Sequence, residues 1–563
     1  MKHSDQKYIP FLLQWAVPLL LIVPNVWLNF TEAYTSSEKA ANILLPLGVY
    51  FLLMSAWKRN SITTLCLFPL MVFCAFQIVL LFLYGESIIA IDMFLNVMTT
   101  NVHEATELLR NLTVAIVAVC LLYLPPIVLA IIALAKEYLL GAESRRRGLV
   151  VGCLGATAGI AACVVCLLQD GGYAPDRRLF PVNIFSNIIT AIQRTELSDN
   201  YFRTSEDFSF HAVDSRPDEG PEVYMLVIGE TSRADNWQIN GYSRPTNPRL
   251  SKRSGLISYP KALSESNTTH KSVPLLMSHL SGSHFGDSIY NVRSIIDAFA
   301  EAGYTTVWLS NQQRNGSLID FFGSRADRSM FLKDDGHDHL DIELCSPLKA
   351  ELDSLGNRKL FVVLHTYGSH FNYKERYPAR YSVFRPEHSA EASASNRPGL
   401  LNAYDNTIVY TDAVLDSIMA TVTAAGHPAA MVYLSDHGED IFDDSRNRFL
   451  HASPTPTYWQ LHVPMLVWMS DSYRAIHPDE YAAAAANRRR DVSSSRSAFH
   501  TLAEMAGLRT PFLDPAASLA SPAYKPAPRI YLNDYNEGIP LSESGLKPSD
   551  FEQMSRHDIG KQD

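Results

Sequence analysis

The sequence predicts a two-part chain, five transmembrane helices followed by an α/β domain built on a central, mostly parallel sheet. Three observations carry this reading. The longest apolar runs of the 563 residues crowd into about the first 170. From about residue 220, short β-rich runs alternate with helical stretches. The clearest of those runs each end in polar, reactive residues.

A hydrocarbon core of about 30 Å takes roughly 20 helical residues to cross. Apolar stretches of that length lie near residues 10–30, 40–57, 63–84, 113–137 and 148–168. The first is too long for a removed signal peptide and lacks a small-residue cleavage site, and four more spans follow it. Lys2 and Lys7, then Lys58 and Arg59, then Arg145, Arg146 and Arg147 flank the spans on one side, which the positive-inside rule makes cytoplasmic. The expected organisation is a membrane domain over 1–170 with an outer loop at 85–112, a linker over 171–219, and an exported domain over 220–563.

Within the outer loop, Asn96, Thr100 and Glu104 recur every four residues and would share one polar helix face, the pattern of an ordinary solvated surface helix. Leu179 to Gln193 is apolar and aromatic but too interrupted to span, and reads as an amphipathic helix in the membrane interface.

The net charge of -10, from 48 basic and 58 acidic residues, is mild and offers no basic stripe, so nucleic acid is not an expected partner. Six of the seven cysteines lie in the apolar segments and leave Cys345 alone. The exported domain is therefore expected to hold together by its core and a metal, not by disulfides.

In that domain the clearest buried strands are Val223–Ile228, Thr305–Leu309, Leu360–Leu364 and Ala430–Leu434. In open α/β sheets the site lies beyond the carboxyl ends of the strands. Those ends carry Gly229-Glu230-Thr231-Ser232, Ser310-Asn311-Gln312-Gln313, His365-Thr-Tyr-Gly-Ser-His370 and Ser435-Asp436-His437-Gly438-Glu439, joined by Thr268-Thr269-His270 and His451. Singly, an Asp-His pair or a Glu at a helix start is an ordinary cap. Together they form a convergent set of nitrogen and oxygen donors that suits Zn²⁺.

These motifs resemble the phosphoethanolamine transferases of the alkaline phosphatase superfamily, the group that decorates lipopolysaccharide and includes polymyxin-resistance enzymes. The matching stretches are Val227-Ile-Gly-Glu230-Thr-Ser-Arg-Ala-Asp235, Asn240-Gly-Tyr-Ser-Arg-Pro-Thr-Asn-Pro248, Asn267-Thr-Thr269-His-Lys-Ser-Val-Pro274, Leu364 to His370, Asn402-Ala-Tyr-Asp-Asn406 with Thr411-Asp412, Ser435 to Glu439, and Phe449-Leu-His451.

The resemblance implies an alkaline-phosphatase/sulfatase-like fold for the exported domain. It implies Glu230, Asp436 and His437 as zinc ligands, with Thr269 as metal-activated nucleophile and fourth ligand; Thr268 is the competitor. His370 and His451 would engage the transferred group or a second zinc besides the one tightly bound. Asn96, Thr100 and Glu104 match membrane-proximal substrate contacts, and Asn311, Gln312 and His365 are placed with substrate binding. The implied donor is phosphatidylethanolamine and the implied acceptor lipopolysaccharide or another periplasmic glycan. The implied location is the bacterial inner membrane, with the catalytic domain in the periplasm.

Two departures stand out: the disulfides of several family members cannot form here, and the lysine that some place after the second-strand motif is absent from Asn311-Gln-Gln-Arg-Asn-Gly316. A lipoteichoic acid synthase-type glycerol-phosphate transferase and a catalytically dead membrane sensor are the rival readings. A sulfatase activity would need a modifiable Cys/Ser-x-Pro-x-Arg sequence, which is missing.

Overall fold

A computed structural model describes residues 5–99, 112–217, 220–387 and 393–561. It divides into two compact units, one comprising Met1–Phe94, Val102–Ile192 and Arg446–Arg448, the other Leu95–Asn101, Gln193–Ser445 and Phe449–Asp563.

The first unit is a helical bundle. Helices α1 (Asp5–Leu21) and α2 (Val23–Thr31) form one apolar rod, Tyr8–Thr31, broken beside Pro24. α3 (Ser36–Ala56) is the second span, opened by a capping box on Thr35 and Glu38. The third is a pair, α4 (Asn60–Cys66) and α5 (Phe68–Tyr84), bent by 50° with Pro69 just past the break. The start of α6 (Ile91–Thr99), up to Phe94, with α7 (Thr113–Ala135) and α8 (Ala142–Gln169), completes it. The five expected spans are thus present, and side chains such as Val114, Leu121, Leu154 and Leu168 point their apolar surface outward.

The last span starts earlier than its hydropathy suggested. No Gly or Pro intervenes before the arginines, and the Glu143–Arg147 ion pair, one turn apart, carries the helix through them.

α3 and α8 meet backbone to backbone along Gly152, Gly155 and Gly159 of α8. A Cβ on Gly159 would stand 2.3 Å from the Leu45 nitrogen, and one on Gly48 2.2 Å from that of Ala156. Between lipid-soluble helices, such close approach supplies the dispersion contact that the hydrophobic effect cannot.

The second unit is built on seven strands: β1 (Val223–Gly229), β2 (Leu256–Ser258), β3 (Thr305–Ser310), β4 (Arg328–Phe331), β5 (Leu360–His365), β6 (Ala429–Ser435) and β7 (Met465–Met469). Their order is β2-β7-β6-β1-β5-β3-β4, and of these seven only β7 runs against its neighbours. The four strands read from the sequence are the four adjacent central ones. Along β1, Tyr224, Leu226 and Ile228 enter one core while Val223, Met225 and Val227 enter the core on the other face. This two-sided burial is why these strands read as unbroken apolar runs.

Three more helices are α9 (Val182–Asp199), α10 (Thr269–Leu276) and α11 (Arg397–Ala425). α11 is long and apolar enough to cross a membrane, but its buried Asp405 and Asp412 bind Asn236, Tyr242, Arg244 and the backbone of Arg249 and Leu250, so it is a core helix of the second unit.

Candidate metal centre and active site

β1 and β6 pair in parallel with Gly229 opposite Ser435, so the residues that follow each strand emerge side by side. Glu230 and Asp436 are the first of these, and both are buried. Thr231 then takes a φ of 60°, turning the chain sharply away from the sheet. The loop after β5 crosses this turn at Gly368, whose φ is 56° and where a Cβ would stand 2.6 Å from the Glu230 carbonyl. Only glycine fits both constraints.

Thr269 begins α10 and is half-buried, its Oγ1 3.1 Å from His437 Nε2 and 3.4 and 3.5 Å from the two Glu230 oxygens. His437 Nε2 is also 3.3 Å from Glu230 Oε1 and 3.3 Å from Asp436 Oδ2. Thr268 is buried, and its hydroxyl lies 3.2 Å from that of Ser266. Of the two adjacent threonines, it is Thr269 that reaches the acids and imidazole.

His370 and His451 stand next to this cluster. The His451 ring is 4.2 Å from that of His437 and 5.8 Å from that of His370, which stacks on Tyr367. Ligand atoms of Glu230, His437 and His451 lie within 4.8 Å of one another.

The donor set fits zinc. Bonds of about 2.0–2.1 Å to nitrogen and oxygen in a tetrahedron place ligand atoms about 3.3 Å apart, and the contacts that join His437 to Glu230, Thr269 and Asp436, and Thr269 to Glu230, run from 3.1 to 3.5 Å. The supporting bonds agree. His437 Nδ1 donates to the Gly438 carbonyl at 2.9 Å, so once the ring is deprotonated its lone pair is at Nε2, facing Glu230, Thr269 and Asp436. Asp436 Oδ1 accepts from the backbone of Thr231 and His437, while its buried Oδ2 has no hydrogen-bond donor among the described residues.

Electrostatics points the same way. Burial raises the Asp436 carboxyl, and the charge of Glu230 raises it further. Burial also opposes ionisation of Glu230, but the hydrogen bond and charge of His437 outweigh it and hold that carboxyl low. Two buried acids sharing one imidazole form a site that a dication would neutralise.

The remaining expected residues are more scattered. His365, buried at the end of β5 against Trp308, is pushed down to about 4 by burial and stays neutral. The Asn311 amide donates to Asp341 and to the His339 carbonyl, and that of Gln312 to the Thr366 carbonyl. Asn96 lies on α6, half-buried, while Thr100 and Glu104 lie outside the described residues.

Other neighbours of the site were not assigned from sequence. Arg233 sits buried three residues past Glu230 and forms a two-pronged pair with Asp443, which also holds Arg397. Asp341 accepts from the backbone of Tyr367 and Gly368 and fixes the loop leading to His370. Buried Glu439 is pushed up to about 8 by burial. Arg233 and Glu439 fall inside the family-like motifs, a signal that their neighbourhood counts; Asp341 carries none.

A largely parallel sheet with a threonine, two acids and imidazoles at its carboxyl edge defines an alkaline-phosphatase-like class of domain. The family model described as Sulfatase matches residues 222–508, and the chain belongs to the sulfatase family.

Among its relatives, phosphoethanolamine transferase EptA of Escherichia coli K12 is 30% identical over 302 residues, 52% of this chain and 54% of that protein. The chain spans about half the length of the curated relatives it matches. The periplasmic domain of E. coli EptC in complex with Zn superposes with a TM-score of 0.53 at 25% identity, over 60% of this chain and 97% of that one. The integral membrane lipooligosaccharide phosphoethanolamine transferase EptA of Neisseria meningitidis superposes at 0.69 and 17% identity, over 90% of this chain and 99% of that one, a likeness of fold.

Proposed function

We propose that this chain is a zinc-dependent phosphoethanolamine transferase, moving the head group of phosphatidylethanolamine to a lipid A phosphate or core sugar of lipopolysaccharide. The observation that carries the reading is Thr269 Oγ1, half-buried and within 3.5 Å of both Glu230 and His437 at the carboxyl edge of the sheet. The similarity to transferases named for phosphoethanolamine supplies the transferred group.

Glu230, Thr269, Asp436 and His437 would hold the zinc, which when bound lowers the pKa of the threonine hydroxyl and offsets charge on the phosphoryl oxygens. Thr269 Oγ1, its proton directed toward Glu230, attacks the donor phosphorus. The bond to the diacylglycerol oxygen breaks, and that oxygen takes a proton from His370 or His451, imidazoles suited to transfer near neutral pH. Phosphoethanolamine stays on Thr269. An acceptor hydroxyl then attacks the same phosphorus and gives its proton back to the imidazole, the bond from phosphorus to Thr269 Oγ1 breaks, and Oγ1 recovers its proton from the Glu230 side, closing a ping-pong cycle.

The five spans suit this chemistry, because donor and acceptor are both lipids. We place residues 1–170 in the bacterial inner membrane, 171–219 as an interfacial linker, and 220–563 in the periplasm as the catalytic domain. The linker reading is supported by α9, where Val182, Phe185, Ile189 and Ile192 form an exposed apolar stripe. Asn96, Thr100 and Glu104 are assigned to the lipid donor, and Asn311, Gln312 and His365 to the surroundings of the head group.

The test is mass spectrometry of lipid A from cells expressing wild type or Thr269→Ala. A phosphoethanolamine adduct present only with wild type supports the reading. Unmodified lipid A together with unmodified core sugars in both strains contradicts it.

A further inference from the structure

The loops that carry Thr269, His437 and His451 are tied together by one buried side chain that the proposed chemistry does not use. Helix α12 (Tyr458–Leu461) is a single turn between the His451 loop and β7. Its Gln460 is fully buried, and both the oxygen and the nitrogen of its carboxamide are engaged. Oε1 accepts from Asn267 Nδ2 at 2.6 Å and lies 3.1 Å from Ser453 Oγ, whose one proton is shared with the Thr455 carbonyl at 2.6 Å. Nε2 donates to Asp440 Oδ2 at 2.7 Å and to the Leu450 carbonyl at 3.2 Å. The Gln460 carbonyl accepts from the Gly438 nitrogen at 2.7 Å.

These partners sit where the site is set. Asn267 is two residues before Thr269, Gly438 and Asp440 follow His437, and Leu450 and Ser453 flank His451. Gly438 has no room for a side chain, since a Cβ there would lie 2.1 Å from the Trp459 carbonyl, so the His437 loop is pressed onto the same turn. The turn extends to the fourth loop as well, because the Ala234 nitrogen, four residues after Glu230, donates to the His462 carbonyl at 2.9 Å. It is pinned from behind by the C-terminal helix α13 (Pro548–Arg556), whose Asp550 accepts from the Tyr458 nitrogen at 3.0 Å.

From these contacts we infer that Gln460 is a positioning residue. It touches no reacting atom, and it fixes the spacing of the nucleophile loop against the His437 and His451 loops. Its effect on turnover rests on the proposed transferase reading, while its effect on the metal site stands apart from it.

The experiment uses the full chain in detergent and compares wild type with Gln460→Glu, Gln460→Asn and the pair Gln460→Glu with Asp440→Asn. Gln460→Glu keeps the shape and the acceptor oxygen but sets a carboxylate against Asp440. The paired change restores the bond to residue 440 with its direction reversed and leaves the Leu450 carbonyl without its donor. Gln460→Asn keeps the amide but is too short to span the loops. Zinc affinity is read by competition with a chelating dye, folding by thermal melting, and turnover with labelled phosphatidylethanolamine.

Both single variants should lose about tenfold or more in zinc affinity, the scale expected for groups supporting metal ligands, and the paired change should recover part of it. Zinc affinity within twofold of wild type in the single variants would overturn the inference, as would a paired variant that melts like wild type without recovering zinc. If zinc affinity follows the expected pattern while wild type never turns over phosphatidylethanolamine, the transferase reading fails and the role of Gln460 stands.

Discussion

Thr269 Oγ1 lies 3.1 Å from Nε2 of His437, although 168 positions separate them in the chain. Pairing of β1 with β6 brings Glu230 beside Asp436 and His437, and α10 then presents its first residue to the group. The closeness of a hydroxyl, two acids and an imidazole makes metal occupancy the first thing to perturb.

Stripping the protein with a strong chelator should abolish transfer, and added Zn²⁺ should restore it. Glu230→Gln should weaken zinc binding by more than about tenfold, because a neutral amide is a poorer ligand and leaves Asp436 and His437 unbalanced. Elemental analysis alongside lipid turnover checks both.

Asp443→Ala should destabilise the second unit by about 3–5 kcal/mol, since it leaves buried Arg233 without its carboxylate. Asp443→Asn should recover part of this through the Ile441 nitrogen bond, now 2.8 Å long. Thermal melts in detergent decide it.

Gly159→Ala should cost the membrane unit about 1–3 kcal/mol, because the added methyl meets the α3 backbone. Gly141→Ala, where an added Cβ meets nothing within 4 Å among the described residues, should change stability by less than about 0.5 kcal/mol. Comparing the two melts separates close packing from a generic effect of losing glycine.

His279 packs among Phe208, Phe210, Phe499 and Phe512, and burial pushes it down to about 4. Its folded value lies below its unfolded one of about 6.5. Between these the unfolded state binds more protons, so its contribution is fully present above about pH 6.5 and is lost as pH falls towards 4. His279→Phe should flatten the fall in melting temperature over that window relative to wild type.

The fold was legible where burial leaves a simple mark. The four central strands are covered on both faces and read as continuous apolar runs, and the five spans are long and apolar. β4 was missed because most of it is exposed at the sheet edge. β7 is as apolar as its neighbours, but its reversed direction is set by pairing with β6 and has no sign in its own residues.

For the candidate site, Glu230, Asp436 and His437 follow strands directly, so the topology of an open sheet was enough to bring them together. The Gln460 network was not legible. Its bond to Asn267 joins residues 193 positions apart, and an isolated glutamine in a polar loop carries no periodicity or motif.

The most direct measurement is intact-protein and peptide mass spectrometry of the full chain incubated with phosphatidylethanolamine in the absence of acceptor. A phosphoethanolamine group should accumulate on Thr269 with diacylglycerol released, and should be missing from Thr269→Ala. A zinc-loaded protein that never acquires the group, or acquires it on Thr268 instead, would contradict the assignment of Thr269 as nucleophile.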